Sequence, residues 1–419
     1  MAQELYELPQ GWEWNTLKGS CLKIKDGAHA SPKSTDNGLP YVTVRDIDSN
    51  GFIDTQNCKK IRQEDFDKLI AGNCSPTEGS VLLSKDGTVG KVAVVNGYQQ
   101  FVVLSSLAII TPKSETLSTY YLKYFLLSPR LQEYALKSKT GAAIKRIVLR
   151  NIAAFQIPVP PLAEQERIVA KLDALFSRID QAIAQLQHTQ AQTKALFASA
   201  LDAAFNPYGN RKELPPRWCL VDLGKTCTFI RGPFGGSLKK AMFVPSGYAV
   251  YEQQHAIKDQ FTSIRYFVNE EKFNEMKRFE LHEGDLIMSC SGTMGKVAIA
   301  PSQVQRGIIN QALLKLTMGE SLLNTFLLNW MRSGGFTEAL NELSSGAAIK
   351  NVASVKILKQ IQIPLPPLAE QSKIVAQLDA ISERTQALTT ATSAQLEKLK
   401  ALKASLLDAA FRGQLPSDQ

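Results

Sequence analysis

Pro160-Pro161-Leu162-Ala163-Glu164-Gln165 stands at the foot of a long helical pattern, and the same six residues return as Pro366-Pro367-Leu368-Ala369-Glu370-Gln371 at the foot of a second one. A Pro-Pro pair suits the opening of a helix, and acidic residues in the first turn complement its dipole. Downstream, Ile168, Leu172, Leu175, Ile179, Ala182, Leu186, Thr189, Thr193, Leu196, Ala200 and Ala203 follow a 4-3-4-3 rhythm that Asn206-Pro207 and Gly209 end. Ile374, Leu378, Ile381, Thr385, Leu388, Thr392, Gln395, Leu399, Leu402, Leu406 and Ala409 keep the same beat up to Gly413. Each run predicts a helix of about 65 Å at 1.5 Å per residue, its heptad stripe a coiled-coil seam.

The duplication extends outward from these helices. Leu8-Pro9 and Trp12 return as Leu214-Pro215 and Trp218, and Glu78-Gly79 as Glu283-Gly284, at offsets of 205 to 206 residues. The upstream stretches carry short apolar runs punctuated by Gly, Asn and Asp, such as Tyr41–Val44, Val81–Leu83 and Phe101–Leu104, which read as strands. Helices are expected near Tyr120–Tyr134 and Leu322–Leu340. The fold class is therefore mixed α/β (α+β): globular domains over 1–157 and 207–363, long helices over 158–206 and 364–419. With an internal pseudo-twofold repeat, helix one leads out of the first domain and helix two back toward it, so an antiparallel pair with Met1 near Gln419 is expected. Identity between copies is 13 of 18 residues from Pro158 and 10 of 12 from Lys194. A spacer needs only the period, so the matched ends serve docking on their own domain, partner binding, or both.

Composition places the chain among ordinary globular proteins, with 44% hydrophobic and 21% charged residues. No signal-type segment opens it, no apolar stretch is long enough to span a bilayer, and a cytoplasmic location is expected. The six cysteines form no Cys-x-x-Cys pair and read as free, mostly buried thiols. The net charge of +9 is unevenly placed. Residues 1–161 hold 19 Lys and Arg against 15 Asp and Glu, and residues 206–367 hold 19 against 13, whereas the two helical segments come to −1 and 0. Excess positive charge confined to two globular segments suits a polyanion gripped at two places; a generally basic surface is the plainer reading.

Candidate binding residues follow from chemistry. Ser84-Lys85-Asp86-Gly87-Thr88-Val89-Gly90-Lys91 and its echo Ser289-Cys290-Ser291-Gly292-Thr293-Met294-Gly295-Lys296 lack the leading Gly and trailing Ser or Thr of a nucleotide P-loop. They read instead as hairpins, either purely structural or approaching a ligand through Lys85, Thr88, Lys91, Ser291, Thr293 and Lys296. Asn310-Gln311, with Ser105-Ser106 as its counterpart, offers amides and hydroxyls suited to base edges or to core hydrogen bonds. The matched turns ending in Lys145-Arg146 and Lys350 carry phosphate-type cations. The most divergent stretch sets Lys23, Lys25 and Lys33 in one half against Arg231, Lys239, Lys240, Gln253, Gln254 and His255 in the other, as different readers on one scaffold would be. No hydrolase, metalloprotease or metal-ligand signature is present, and no catalytic or metal residue is assigned.

Two halves that each open with Leu-Pro-x-x-Trp, carry Gly-Thr-x-Gly-Lys and close with Ile-Pro-x-Pro-Pro-Leu-Ala-Glu-Gln before a long helix resemble the specificity subunits of type I restriction-modification enzymes. The resemblance implies a non-catalytic subunit whose two target-recognition domains each read half of a split double-stranded DNA target. The paired helices would then be a ruler that also docks two methyltransferase subunits. It further implies that this chain binds no cofactor, with S-adenosylmethionine, ATP and Mg carried by partner subunits, which can include restriction-translocase subunits. An unrecognised enzyme site and a peptide-binding scaffold are the alternatives, separable by assay of the isolated chain and by salt dependence of binding.

Overall fold

The computed structural model describes residues 5–29, 31–97, 99–137, 147–209, 213–291, 293–343 and 355–415. They form two compact units, Met1–Leu186 with Ser393–Gln419 and Gln187–Thr392, so each unit takes the opening of one long helix and the closing part of the other.

The first unit contains strands β1 (Glu13–Thr16), β2 (Cys21–Asp26), β3 (Leu39–Val42), β4 (Lys59–Ile61), β5 (Val81–Ser84), β6 (Val92–Val94), β7 (Val102–Val103), β8 (Leu107–Pro112) and β9 (Gln156–Val159). Its helices are α1 (Leu17–Ser20), α2 (Gln63–Ala71), α3 (Thr119–Leu127), α4 (Pro129–Lys137), α5 (Leu149–Ala153) and the start of α6 (Leu162–Phe205). A four-stranded sheet of order β2-β8-β5-β6 lies beside a three-stranded sheet of order β4-β3-β7, and β1 pairs with β9. The run Val81-Leu82-Leu83 is apolar throughout because both faces of its sheet are covered. Val81 and Leu83 pack toward Tyr121, Phe125 and Ile168, whereas Leu82 faces Val42, Val103 and Ile109.

The second unit repeats this order with β10 (Cys219–Asp222), β11 (Cys227–Arg231), β12 (Tyr248–Tyr251), β13 (Phe267–Val268), β14 (Leu286–Ser289), β15 (Val297–Ile299), β16 (Gly307–Ile309), β17 (Leu313–Met318) and β18 (Gln362–Leu365). Its helices are α7 (Leu223–Thr226), α8 (Gln253–Lys258), α9 (Glu270–Glu275), α10 (Asn324–Arg332), α11 (Gly334–Leu343), α12 (Val355–Gln360) and the start of α13 (Leu368–Phe411). The sheets β11-β17-β14-β15 and β13-β12-β16 and the pair β10-β18 match those of the first unit strand for strand. One step in the repeat offset, between the Cys21–Cys227 and Gly27–Gly232 equivalences, has a local cause. Between Cys21 and Lys23 the register against β8 shifts, and Leu22 bulges out 68% exposed, which absorbs a residue that β11 lacks.

Each helix expected near Tyr120 and Leu322 is in fact two. Ser128 and Ser333 turn their hydroxyls back onto the carbonyls of Phe125 and Trp330 at 2.7 Å, and Pro129 and Gly334 then open α4 and α11.

The long helices are 44 residues each and start and stop where their proline and glycine signals stand. Their buried row departs from the heptad. Leu196, Leu388 and Leu402 are 60%, 44% and 46% exposed, whereas Leu201, Phe205, Leu407 and Phe411 are buried. An ordinary helix drifts about 20° per heptad, and the buried positions follow that drift: Ile168, Ile179 and Leu201 are buried and Gln190 half-buried along one line. Within the first unit Ile168 and Leu172 share a core with Leu407, Ala410 and Phe411, and Asp180 takes the Lys403 ammonium at 2.6 Å. Within the second, Leu201 and Phe205 share a core with Val375 and Leu378, and Gln190 Nε2 donates to Thr392 Oγ1 at 3.2 Å. The helix segments inside each unit therefore run antiparallel. Met1 and Gln419 lie outside the described residues, but Tyr6 Oη donates to the Phe411 carbonyl.

Candidate nucleic-acid interface

The ends of the central strands in each unit are knitted together by backbone hydrogen bonds. In the first, Gly27 N donates to Leu107 O, Leu104 N to Val42 O and Lys85 N to Ser106 O. In the second, Gly232 N donates to Leu313 O, Asn310 N to Tyr251 O and Cys290 N to Ala312 O. The glycines are required by closeness: a Cβ at Gly27 would lie 2.3 Å from Val103 O, and one at Gly232 1.9 Å from Asn310 O. These bonds correct one pairing read from sequence. The counterparts of Asn310-Gln311 are Leu104-Ser105, not Ser105-Ser106, because Leu104 and Asn310 make the same bond to the neighbouring strand.

The hairpin loops that carry Thr88 to Lys91 and Thr293 to Lys296 are each closed by a serine. Ser84 Oγ donates to Thr88 O at 2.6 Å and accepts from Lys91 N at 2.7 Å; Ser289 Oγ donates to Thr293 O at 2.6 Å and accepts from Lys296 N at 3.0 Å. Thr88, Ser291 and Thr293 are exposed on the loops. The two lysines diverge. Lys91 Nζ donates to the carbonyls of Val44 and Ile47, whereas Lys296 points outward, exposed.

Several other candidates are taken up by the fold. Lys85 is 5% exposed, with Asp26 at 3.3 Å and Asp86 at 3.9 Å, so it is an internal counter-ion rather than a surface cation. His255 is 1% exposed; its Nδ1 lies 2.9 Å from the backbone of Glu252 and its Nε2 3.2 Å from Ser263 O, which makes it a cap of α8 and no reader. Lys23 and Lys25 reach the carbonyls of Ser75 (3.2 Å) and Gly72 (2.7 Å), and burial, helped by Lys25, holds the Lys23 ammonium below its ordinary pKa. Each of these lysines found an oxygen partner distant in sequence, which composition does not reveal.

The rest stay open to a ligand. Lys33, Lys239, Lys240 and Gln311 are exposed, and Ser105 and Asn310 are half-buried at the strand ends, Asn310 Oδ1 accepting from Ala312 N at 3.0 Å. Gln253 Oε1 and Arg231 Nε are buried without a hydrogen-bond partner, so only the remaining parts of these side chains are accessible, while Gln254 Nε2 bonds Glu252 at 3.4 Å. Lys145, Arg146 and Lys350 lie outside the described residues. Sequence reasoning passed over Asp26 and Asp86, each of which, like Ser106, has a buried oxygen without a hydrogen-bond partner; the signal was their position near Gly27 and the hairpin serine. Among the described residues no group of His, Cys, Asp and Glu could hold a metal ion, and no helix is long and apolar enough to cross a membrane.

The Pro-Pro-Leu-Ala-Glu-Gln motif has a structural duty. Gln165, fully buried, accepts from Ser118 N at 2.8 Å and donates to Thr116 O at 2.9 Å and Pro160 O at 2.8 Å. Gln371 does the same with Leu323 N, Ser321 O and Pro366 O, each at 2.9 Å. Each glutamine thus bolts the start of a long helix to the domain that precedes it.

Comparison with known proteins agrees with this duplicated architecture. The family model of the type I restriction modification DNA specificity domain matches twice, over residues 9–188 and 239–398. The MjaVIII type I restriction enzyme specificity subunit of Methanocaldococcus jannaschii is 24% identical over 94% of this chain and 91% of its own length. A chain from a structure of type I R-M complex assembly and conformational transition is 26% identical, with TM-score 0.78, covering 98% of this chain and 100% of that one. The HsdS subunit of Thermoanaerobacter tengcongensis is 25% identical with TM-score 0.57, covering 99% and 100%. The chain accordingly belongs to the family of type I restriction-modification DNA specificity subunits.

Proposed function

We propose that this subunit performs no chemistry itself and addresses a complex to a two-part sequence of double-stranded DNA, each globular domain reading one half-site through the knitted strand ends. The observation that carries the reading is one backbone scaffold built twice with different side chains at equivalent positions: Leu104 and Ser105 in one copy, Asn310 and Gln311 in the other. A shared scaffold with divergent hydrogen-bonding groups suits sequence readout, because base edges differ in donor and acceptor pattern. The exposed cations Lys33, Lys239, Lys240 and Lys296 supply phosphate contacts. Helix length sets the number of unread base pairs between half-sites. Two methyltransferase subunits dock along the helices, bring S-adenosylmethionine and methylate adenine N6 in each half-site after flipping the base. Restriction-translocase subunits, where they join, bring ATP and Mg. The complex works in the cytoplasm.

Exchange of residues 213–361 for the corresponding part of another such subunit tests this. Mapping of methylated sites is expected to show one half of the target replaced and the other retained. Coupled change of both halves would contradict it.

A further inference from the structure

Asp26 and Arg231 occupy one position of the two domains with opposite charge. Each ends its strand and directly precedes the close-packed glycine, Gly27 or Gly232, whose N–H bonds Leu107 O or Leu313 O. The residue facing this position has changed with it. Lys85 and Cys290 both follow the hairpin serine and donate their backbone N–H to equivalent carbonyls, those of Ser106 and Ala312. An ion pair is thus no requirement of the fold, since the second domain dispenses with it on the same backbone.

In the first domain one lysine stands between two carboxylates. Lys85 Nζ is 3.3 Å from Asp26 Oδ1 and 3.9 Å from Asp86 Oδ2, and Oδ1 of each aspartate is itself buried without a hydrogen bond, so what each side chain still exposes lies beyond that atom. Both side chains remain partly open, at 21% and 25% exposure, with His29 at 3.8 Å from the second Asp26 oxygen. Lys85, Asp26 and Asp86 together carry one net negative charge, which repels phosphate and favours a hydrogen-bond donor. In the second domain the buried Nε of Arg231 has no hydrogen-bond partner. It lines a cavity of about 400 Å³ with Phe229, Phe234, Ser237 and Phe279, and Phe234 is 75% exposed. Glu275 and Arg278 line the same cavity, but the Glu275 carboxylate is engaged by Lys272 at 2.8 Å. A recessed planar guanidinium among aromatic rings suits a planar, bidentate acceptor, whereas the exposed Lys239 and Lys240 suit phosphates.

We propose that this shared position reads base edges of opposite polarity: Arg231 donates to a guanine in the second domain's half-site, and Asp26, with Asp86 beside it, accepts from an exocyclic amino group in the first domain's half-site. In the major groove guanine presents O6 and N7 as paired acceptors, while cytosine N4 and adenine N6 present the amino donors. The inference rests on the DNA-reading role proposed above.

The test uses the full chain assembled with its methyltransferase subunits, with methylated sites mapped for wild type, Arg231→Gln, Arg231→Lys, Asp26→Asn and Asp86→Asn. The expected result is a guanine in the second half-site whose discrimination falls about tenfold or more in both Arg231 variants, with the first half-site read as before. Asp26→Asn is expected to relax one cytosine or adenine position in the first half-site only. Should Asp26→Asn lower the melting temperature by freeing Lys85, Asp86→Asn carries the same expectation. An unchanged target overturns the proposal while leaving the DNA-reading role intact. So does uniform weakening on all sequences with a shallower salt dependence in Arg231→Gln, the mark of a phosphate contact. A wild-type complex without a two-part target removes the DNA-reading role and this proposal with it.

Discussion

A single amide explains why the most strongly repeated motif is repeated. Gln165 and Gln371 each satisfy three backbone groups near a helix start, and truncation would leave those groups buried without partners. Gln165→Ala is expected to cost about 3 kcal/mol, read by chemical denaturation, with Glu166→Ala on the exposed side of the same turn nearly neutral. The motif was legible in the sequence; its mechanism was not, because Ser118 and Thr116 lie far upstream and nothing local marks them as partners. The same limit misled the reading of Lys85 and His255. A charge or imidazole is a surface contact or an internal one according to neighbours that only the tertiary fold supplies, here Asp26 for the lysine and Ser263 for the histidine.

At the scale of elements, local signals served well where they were covalent in origin. Proline and glycine marked both ends of both long helices, and apolar runs with turn residues between them marked most of the strands. Periodicity served less well. A 4-3-4-3 beat and a 3.6-residue turn agree for two or three turns and then part, so the heptad reading was sound near Ile168 and Leu172 and failed at Leu196. The difference has a measurable form. Leu201→Ala is expected to destabilise by about 2–5 kcal/mol through the cavity it leaves beside Phe205, while Leu196→Ala, 60% exposed, should stay within about 0.5 kcal/mol. Equal losses in thermal or chemical unfolding would restore the heptad seam. The breaks at Ser128 and Ser333 show a related limit, since a serine in an apolar helical run gives little warning that its hydroxyl will cap the turn before it.

For the whole molecule, duplication was the feature most completely legible: strand order, sheet pairing and helix ends recur in both units as the repeated residues implied. The distribution of charge was legible as well, but the assignment of individual cations was not. Excess positive charge resides in the globular segments, and of the lysines considered, Lys239 and Lys240 remain exposed at the variable stretch. Replacing both with alanine is expected to weaken DNA binding on every sequence alike and to flatten the log–log salt slope by about two. Fluorescence anisotropy across a salt series measures it, and an unchanged slope would place these lysines away from the backbone.

The sharing of the long helices between units bears on how the protein comes into being on the ribosome. Gln187–Thr392 is one continuous stretch of chain and can close its interior as soon as it has been translated. The unit that emerges ahead of it cannot, because Phe411 fills the space against Tyr121 and Phe125 at ring distances of 5.1 and 5.5 Å. The half translated first is therefore the half finished last, and it must wait with an open apolar interior while more than two hundred further residues are made.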